Sequence, residues 1–263
     1  MNSIKKYERY VEIRDKLKIL SRNESNSLVI HYSCESFYDI KDCKTPRITS
    51  ICVRNFDTGQ THSFSIHKAA EIKKVNNSDI SKQYDCLERS MLKEFFDFMK
   101  KNDKHTWVHW NMRDINYGFQ AIEHRYKVLG GKPCSLDDNY KFDLSIALVS
   151  LYGNAYIGHP RLPKLMKKNH ITEKDFLSGE EEAEAFEQNE FIKLHQSTLR
   201  KADILANILG RTLDGSLKNN SKWYERYGVS PKSFGFFIKE YWVFSLVSIV
   251  ASVIAISQSI SNY

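Results

Sequence analysis

Side chains on a strand alternate between faces, so His31, Ser33 and Glu35 in the run LVIHYSCE share one side of an expected strand, with Asp39 close behind in sequence. An imidazole, a hydroxyl and a carboxylate on one face are candidates for metal-ligating or acid-base work. The competing reading of His31 is a hydrogen-bonded packing residue on an apolar strand. Five cysteines (Cys34, Cys43, Cys52, Cys86, Cys134) contain no CxxC pair, which points to reduced thiols and away from a disulfide framework or a zinc knuckle. The acidic run Glu180, Glu181, Glu182, Glu184, Glu187 and Glu190 reads as a solvated helix or loop, with an acidic lid over a basic groove as the alternative. Trp223, Tyr224, Arg226 and Tyr227 interleave charge with aromatic rings, which suits a nucleic-acid strand or a membrane surface.

The elements that must position these groups are legible from periodicity. A helix is expected over 4–20 with Tyr10, Ile13, Leu17 and Leu20 on one stripe. Strands follow at 28–34, 48–54 and 61–67, the last two joined by a turn containing Asp57, Thr58 and Gly59. A helix over 84–101 buries Leu87, Met91, Phe95, Phe98 and Met99, a strand covers 105–110, and a helix covers 115–128 before Gly130, Gly131 and Pro133. A strand or strand-helix junction spans 141–151, and helices span 162–169 and 190–211. Three strands followed by alternating helix and strand is the order of a mixed-sheet α/β fold.

The 263 residues are 41% hydrophobic and 27% charged, which excludes a disordered or collagen-like chain and favours one sizeable domain with appendages. A net charge of +7 permits polyanion or anionic-lipid partners without requiring them. Lys5, Lys6, Glu8, Arg9, Glu12, Arg14 and Asp15 are too dense in charge for the apolar core of a signal peptide.

The run YWVFSLVSIVASVIAISQSI, residues 241–260, carries no charge over 20 positions, about the length that crosses a hydrocarbon core. It is expected to be a transmembrane helix, with a buried helix closing the domain as the alternative. Lys218, Lys222, Arg226, Lys232 and Lys239 precede it, so the large domain is expected to be cytoplasmic and the anchor C-terminal. Ser248, Ala251, Ser252 and Ala255 form small-residue steps through which the helix could self-associate into a homo-oligomer. The expected divisions are an N-terminal helix at 1–27, a catalytic-type domain at 28–212, a basic and aromatic juxtamembrane segment at 213–240, and the span at 241–260.

Over residues 28–211 the chain resembles the DEDD (DnaQ-like) 3′-5′ exonuclease family, whose fold is the ribonuclease H-like sheet. The family's Asp-x-Glu on the first strand corresponds to Ser33-Cys34-Glu35. Its strand ending in His with Asp five residues on corresponds to His109 and Asp114, and its late helix bearing the last Asp corresponds to Asp203. Asp143 and the Leu162-Pro163-Lys164-Leu165 segment also look similar to the family. The resemblance implies a ribonuclease H-like mixed sheet flanked by helices. It also implies a nucleic-acid or nucleotide ligand, and Mg²⁺ or Mn²⁺ held by Glu35, Asp114 and Asp203 if the site is active.

Two-metal phosphodiester cleavage needs carboxylates from separate elements around ions about 3.5–4 Å apart, which is the role these three acids would share. Each acid alone would be an ordinary solvated side chain; only convergence distinguishes the two readings. The sequence departs from the family pattern at Ser33, because a neutral hydroxyl cannot replace a bridging carboxylate. It departs again on the last helix. Thr198 lies where one branch has a base His, and Leu199 where the other has Tyr. His195, eight residues before Asp203, is the candidate substitute base.

Three functions follow from these residues: a membrane-anchored exonuclease, a pseudo-exonuclease that senses a nucleotide or nucleic acid and signals through its membrane helix, and a protein-binding scaffold.

Overall fold

The computed structural model describes residues 3–35, 45–113, 116–222 and 225. The chain forms two compact units. The larger, Leu17–Ala147 with His159–Lys218, contains the sheet and the long last helix. Among the described residues, the smaller gathers residues 3–16, Leu148–Gly158 and residues 219–222 and 225. Within it, Asn220 N donates to Tyr156 O at 2.8 Å and Ser221 Oγ to Tyr152 O at 2.5 Å.

The elements run α1 (Ser3–Arg22), β1 (Ser27–Cys34), β2 (Ile48–Asn55), β3 (Thr61–Ser65), α2 (Ile66–Ile72), α3 (Tyr84–Lys101), β4 (Thr106–His109), α4 (Phe119–Val128), β5 (Lys141–Asp143), α5 (Leu144–Tyr152), α6 (Arg161–Lys168), α7 (Gly179–Glu187) and α8 (Phe191–Leu213). The result is a mixed α/β fold, a five-stranded sheet in the order β3-β2-β1-β4-β5 with helices packed against it. The meander β1-β2-β3 is antiparallel, whereas β1, β4 and β5 are mutually parallel.

The two faces of the meander differ in chemistry because its registers align like with like. Leu28, Ile30 and Tyr32 share one face with Ile51, Val53 and Phe64, and these join α3 residues Leu87, Met91, Leu92 and Phe95 in the hydrophobic core. Phe64 and Phe95 meet edge to face at 5.6 Å between centroids. On the opposite face Ser33 pairs with Ser50 and Ser50 with Ser65, while His31 pairs with Cys52 and Cys52 with Ser63. Helix α8 packs against β1 and β2 on this polar side, with His195 bonded to Ser50.

Two expected boundaries shift for local reasons. The third strand was expected to reach residue 67, but it ends at Ser65, whose extended backbone leads into α2, where Ile66, Ala69 and Ala70 are buried at helical spacing. The helix expected from 115 begins at Phe119. Gly118 precedes it, and a Cβ there would stand 2.7 Å from the Met112 carbonyl carbon, so only glycine fits. The Gly118 N–H donates to Tyr32 Oη at 2.9 Å, tying the start of α4 to β1.

No helix among the described residues is long and apolar enough to cross a membrane. The segment 241–260 lies outside them, as does most of 213–240.

Glu88 on α3 anchors the frame around β1 and has no exposed surface. Its carboxylate accepts the Ile48 N–H at 2.7 Å and Arg125 Nε at 3.0 Å to each oxygen, joining α3, α4 and the first residue of β2. Breaking such a pair strands a buried charge, so Glu88→Ala is expected to destabilise the fold by about 3–5 kcal/mol. The apolar double replacement Glu88→Leu with Arg125→Met should cost less than Glu88→Ala alone, as measured by denaturation of the full chain in mild detergent.

Candidate functional site

The parallel strands β1, β4 and β5 end at one edge of the sheet. From β1 the chain first builds β2 and β3 on one side and then returns to build β4 and β5 on the other. That reversal makes the carboxyl ends of β1 and β4 a topological switch point, where open α/β sheets place their ligands. The edge is lined by Ser33 and Glu35 from β1, by Asn111 and Arg113 after β4, and by Asp143 at the end of β5.

Each of these groups is held by its own chain segment. Glu35 N donates to Arg47 O at 2.8 Å, and Arg47 N donates to Glu35 Oε2 at 3.3 Å. The loop after β4 turns at Asn111, whose φ of 57° is a left-handed conformation that asparagine tolerates, and it closes where Arg113 bridges Gly118. Asp114 belongs to the tip of this loop by sequence and, with Ile115, lies outside the described residues. Tyr117 stacks on Tyr32 at 4.5 Å and donates its Oη to Tyr32 O at 3.1 Å. His109 is buried, its Nδ1 accepting the Met112 N–H at 3.3 Å and lying 3.9 Å from Asp143 Oδ2. Burial holds its pKa down to about 4 against the pull of Asp143, so the ring is neutral near pH 7. Asp143 Oδ2 forms an ion pair with Arg113 Nε at 2.9 Å, and Asp143 Oδ1 caps α5 by accepting the Ser145 N–H at 2.9 Å.

The polar face under α8 lies immediately behind this edge. Ser33 Oγ and Ser65 Oγ are buried without a hydrogen-bond partner among the described residues, while Ser50 Oγ between them lies 2.7 Å from His195 Nδ1. His195 is neutral, its pKa pushed down to about 4 by burial and by the neighbouring His67 and Lys68. Burial likewise drives His31 well below the ordinary histidine range, with Lys201 adding to the shift, and raises the Cys52 thiol to about 12. Lys201 Nζ meets Glu182 Oε1 of α7 at 2.7 Å, both side chains almost fully enclosed.

The acids expected to converge do not all do so. Asp203 is engaged by Arg200 at 2.7 Å and by Arg54 at 3.7 Å. Arg54 donates to Gly59 O in the β2-β3 turn and sits opposite Val29, near the start of β1, whereas Glu35 follows its end. Six residues of strand between positions 29 and 35 span roughly 20 Å, so Glu35 and Asp203 are at opposite ends of the sheet. The physical reason is the rise of α8, which carries the chain about 12 Å from His195 at the level of Ser50 to Asp203 at the level of Arg54. Residues two apart on a helix point about 200° apart, and it is Lys201, with Thr198 one turn earlier, that turns inward beside β1. Residue 195, expected to share a face with Asp203, lies about 80° round from it and bonds Ser50.

Glu35 and Asp203 therefore do not fit a shared Mg²⁺ or Mn²⁺ pair. Among the described residues no group of three or more His, Cys, Asp or Glu side chains is placed to hold a metal ion. Besides Glu35, what the site offers is neutral or paired: the Ser33 hydroxyl, the imidazoles of His31, His109 and His195, and cations already matched to carboxylates. The Lys201-Glu182 pair and the Ser33-Ser50-Ser65 row were not anticipated from sequence. One signal was present for the first: Leu194, Thr198, Lys201, Leu205 and Ile208 form a buried helical stripe with a lysine at its centre.

The depressed His195 pKa has a consequence for stability. The unfolded ring titrates near 6.5 and the folded ring near about 4, so in between the unfolded state binds the extra proton. The stability His195 contributes is fully present above about pH 6.5 and is lost as pH falls toward 4. Replacing it by His195→Asn should flatten stability against pH over that window, as read by thermal unfolding at successive pH values.

No family model, no curated protein and no solved structure matches this chain.

Proposed function

We propose that the chain carries a ribonuclease H-like, exonuclease-like domain that binds a nucleotide or a nucleic-acid end without cutting it, fixed to a membrane by residues 241–260 with the domain in the cytoplasm. The strand order, the antiparallel meander followed by parallel β4 and β5, and α8 across β1 and β2 support the fold assignment. One observation carries the loss of hydrolysis. Ser33 stands on β1 where the resemblance would put a bridging carboxylate, Lys201 turns inward on α8, and Asp203 is bound by two arginines at the far end of the sheet, which leaves Glu35 without Asp203 as a fellow ligand. Two-metal cleavage needs carboxylates from several elements around one point, and a neutral hydroxyl beside a paired lysine does not supply them.

The switch-point position of the edge supports ligand binding, and a binding domain on a single membrane helix can pass a ligand signal to helix association. The uncharged run 241–260, preceded by Lys232 and Lys239, supports the anchor.

The test uses the full chain in mild detergent with Mg²⁺ or Mn²⁺, on end-labelled single- and double-stranded DNA and RNA. No release of nucleotides is expected, while a nucleotide or oligonucleotide that binds raises the unfolding temperature. Metal-dependent trimming from the 3′ end that disappears in Asp114→Ala would overturn this reading and establish the enzyme. Neither turnover nor stabilisation by any of these ligands would favour a protein-binding scaffold.

A further inference from the structure

Lys201 occupies the centre of the α8 stripe that lies on the sheet, with its side chain 8% exposed. An ammonium in such a place is tolerated only if an anion and hydrogen-bonding groups surround it. Its anion is Glu182, whose Oε1 lies 2.7 Å from Lys201 Nζ in an ion pair and accepts from Ser197 Oγ at 3.0 Å. Ser197 Oγ in turn accepts the Leu177 N–H at 3.2 Å, and the Phe176 ring centroid lies 5.2 Å from Nζ. Toward β1, the charge of Lys201 acts on His31 and Cys34. On the same strand face, the Ser33 hydroxyl is 1% exposed and has no partner among the described residues, a buried donor left over.

A buried cation, a hydroxyl donor and a single carboxylate that completes the set are the groups that hold a phosphate, with the carboxylate in the phosphate's place. Glu182 is also the one side chain of the set supplied by α7, and the neighbouring Glu180, Glu181, Glu184 and Glu187 are exposed, so the helix already holds its other carboxylates in water.

We propose that Lys201, with the Ser197 hydroxyl, is the binding point for a phosphate group, and that Glu182 fills that point when no ligand is bound. The phosphate is the terminal phosphate of the nucleotide ligand, and only this identity of the ligand rests on the reading given under Proposed function. Binding exchanges one anion for another at Nζ: the Lys201-Glu182 contact breaks, the Lys201-phosphate contact forms, and Glu182 turns to solvent.

A purely structural ion pair and a ligand stand-in predict opposite responses to neutralising Glu182. Inorganic phosphate and adenosine monophosphate are each titrated into the full chain in mild detergent, followed by calorimetry and by thermal unfolding. Glu182→Gln keeps the size and the hydrogen bond to Ser197 while removing the competing charge. It is expected to bind both probes at least about tenfold more tightly than the wild type, since a unit charge about 4 Å away is worth several kcal/mol at protein-surface dielectric. Lys201→Gln in the Glu182→Gln background should abolish the gain, and circular dichroism checks that both variants fold. Unchanged or weaker binding of both probes in folded Glu182→Gln overturns the proposal. Phosphate binding that tightens while the nucleotide does not bind supports the phosphate point and defeats the nucleotide reading. Nucleotide binding indifferent to Glu182→Gln does the reverse.

Discussion

A sheet face that carries Ser33, Ser50, Ser65, His31 and Cys52 cannot be covered by a plain leucine-lined helix without stranding donors and acceptors. Helix α8 meets that constraint with His195 on Ser50 at one end and Asp203 on Arg54 at the other. The spacing of these two contacts matches. Eight helical residues rise about 12 Å, and the four strand residues from Ser50 to Arg54 span about 13 Å. The helix is thus held along β2 at both ends, and its axial register follows: with His195 at the level of Ser50, Asp203 is left beside the β2-β3 turn and Lys201 is buried between them. Lys201 then requires an anion, and α7 delivers Glu182. The separation of Glu35 from Asp203 is a consequence of this packing.

The elements were largely legible because each is written in a short-range pattern. The continuous apolar and β-branched runs around Val29 and Ile51, the stripe from Leu87 to Met99, and the strand-helix junction at Asp143-Leu144 all appear where periodicity puts them. The start of α4 was not legible, because it depends on how closely Gly118 approaches Met112 across a loop. The site was legible only in part. Ser33 and Glu35 reach the carboxyl edge because a strand's end is a local property. Asp203 was misplaced because motif spacing along a helix does not say which turn meets which strand; that depends on long-range pairs such as His195 with Ser50. The Glu182-Lys201 pair was illegible for the same reason, an acid from a run that reads as solvated meeting a lysine on a buried stripe.

The carboxyl edge is shaped by backbone and side-chain ties, and the layer behind it by uncharged and paired groups. The switch point, the loop closed by Arg113 and Gly118, and the Glu35-Arg47 clasp preserve the shape of the edge. The groups facing inward are a hydroxyl, neutral imidazoles and a paired lysine, which suit an anion better than a cation. The burial that makes His31 and His195 neutral keeps the layer closed near pH 7.

The most direct measurement is anomalous diffraction from a crystal of the chain soaked in Mn²⁺. The account predicts no ion shared by Glu35 and Asp203, with the Asp203 carboxylate still on Arg54 and Arg200. A pair of anomalous peaks about 3.5–4 Å apart, ligated by both Glu35 and Asp203, would contradict it.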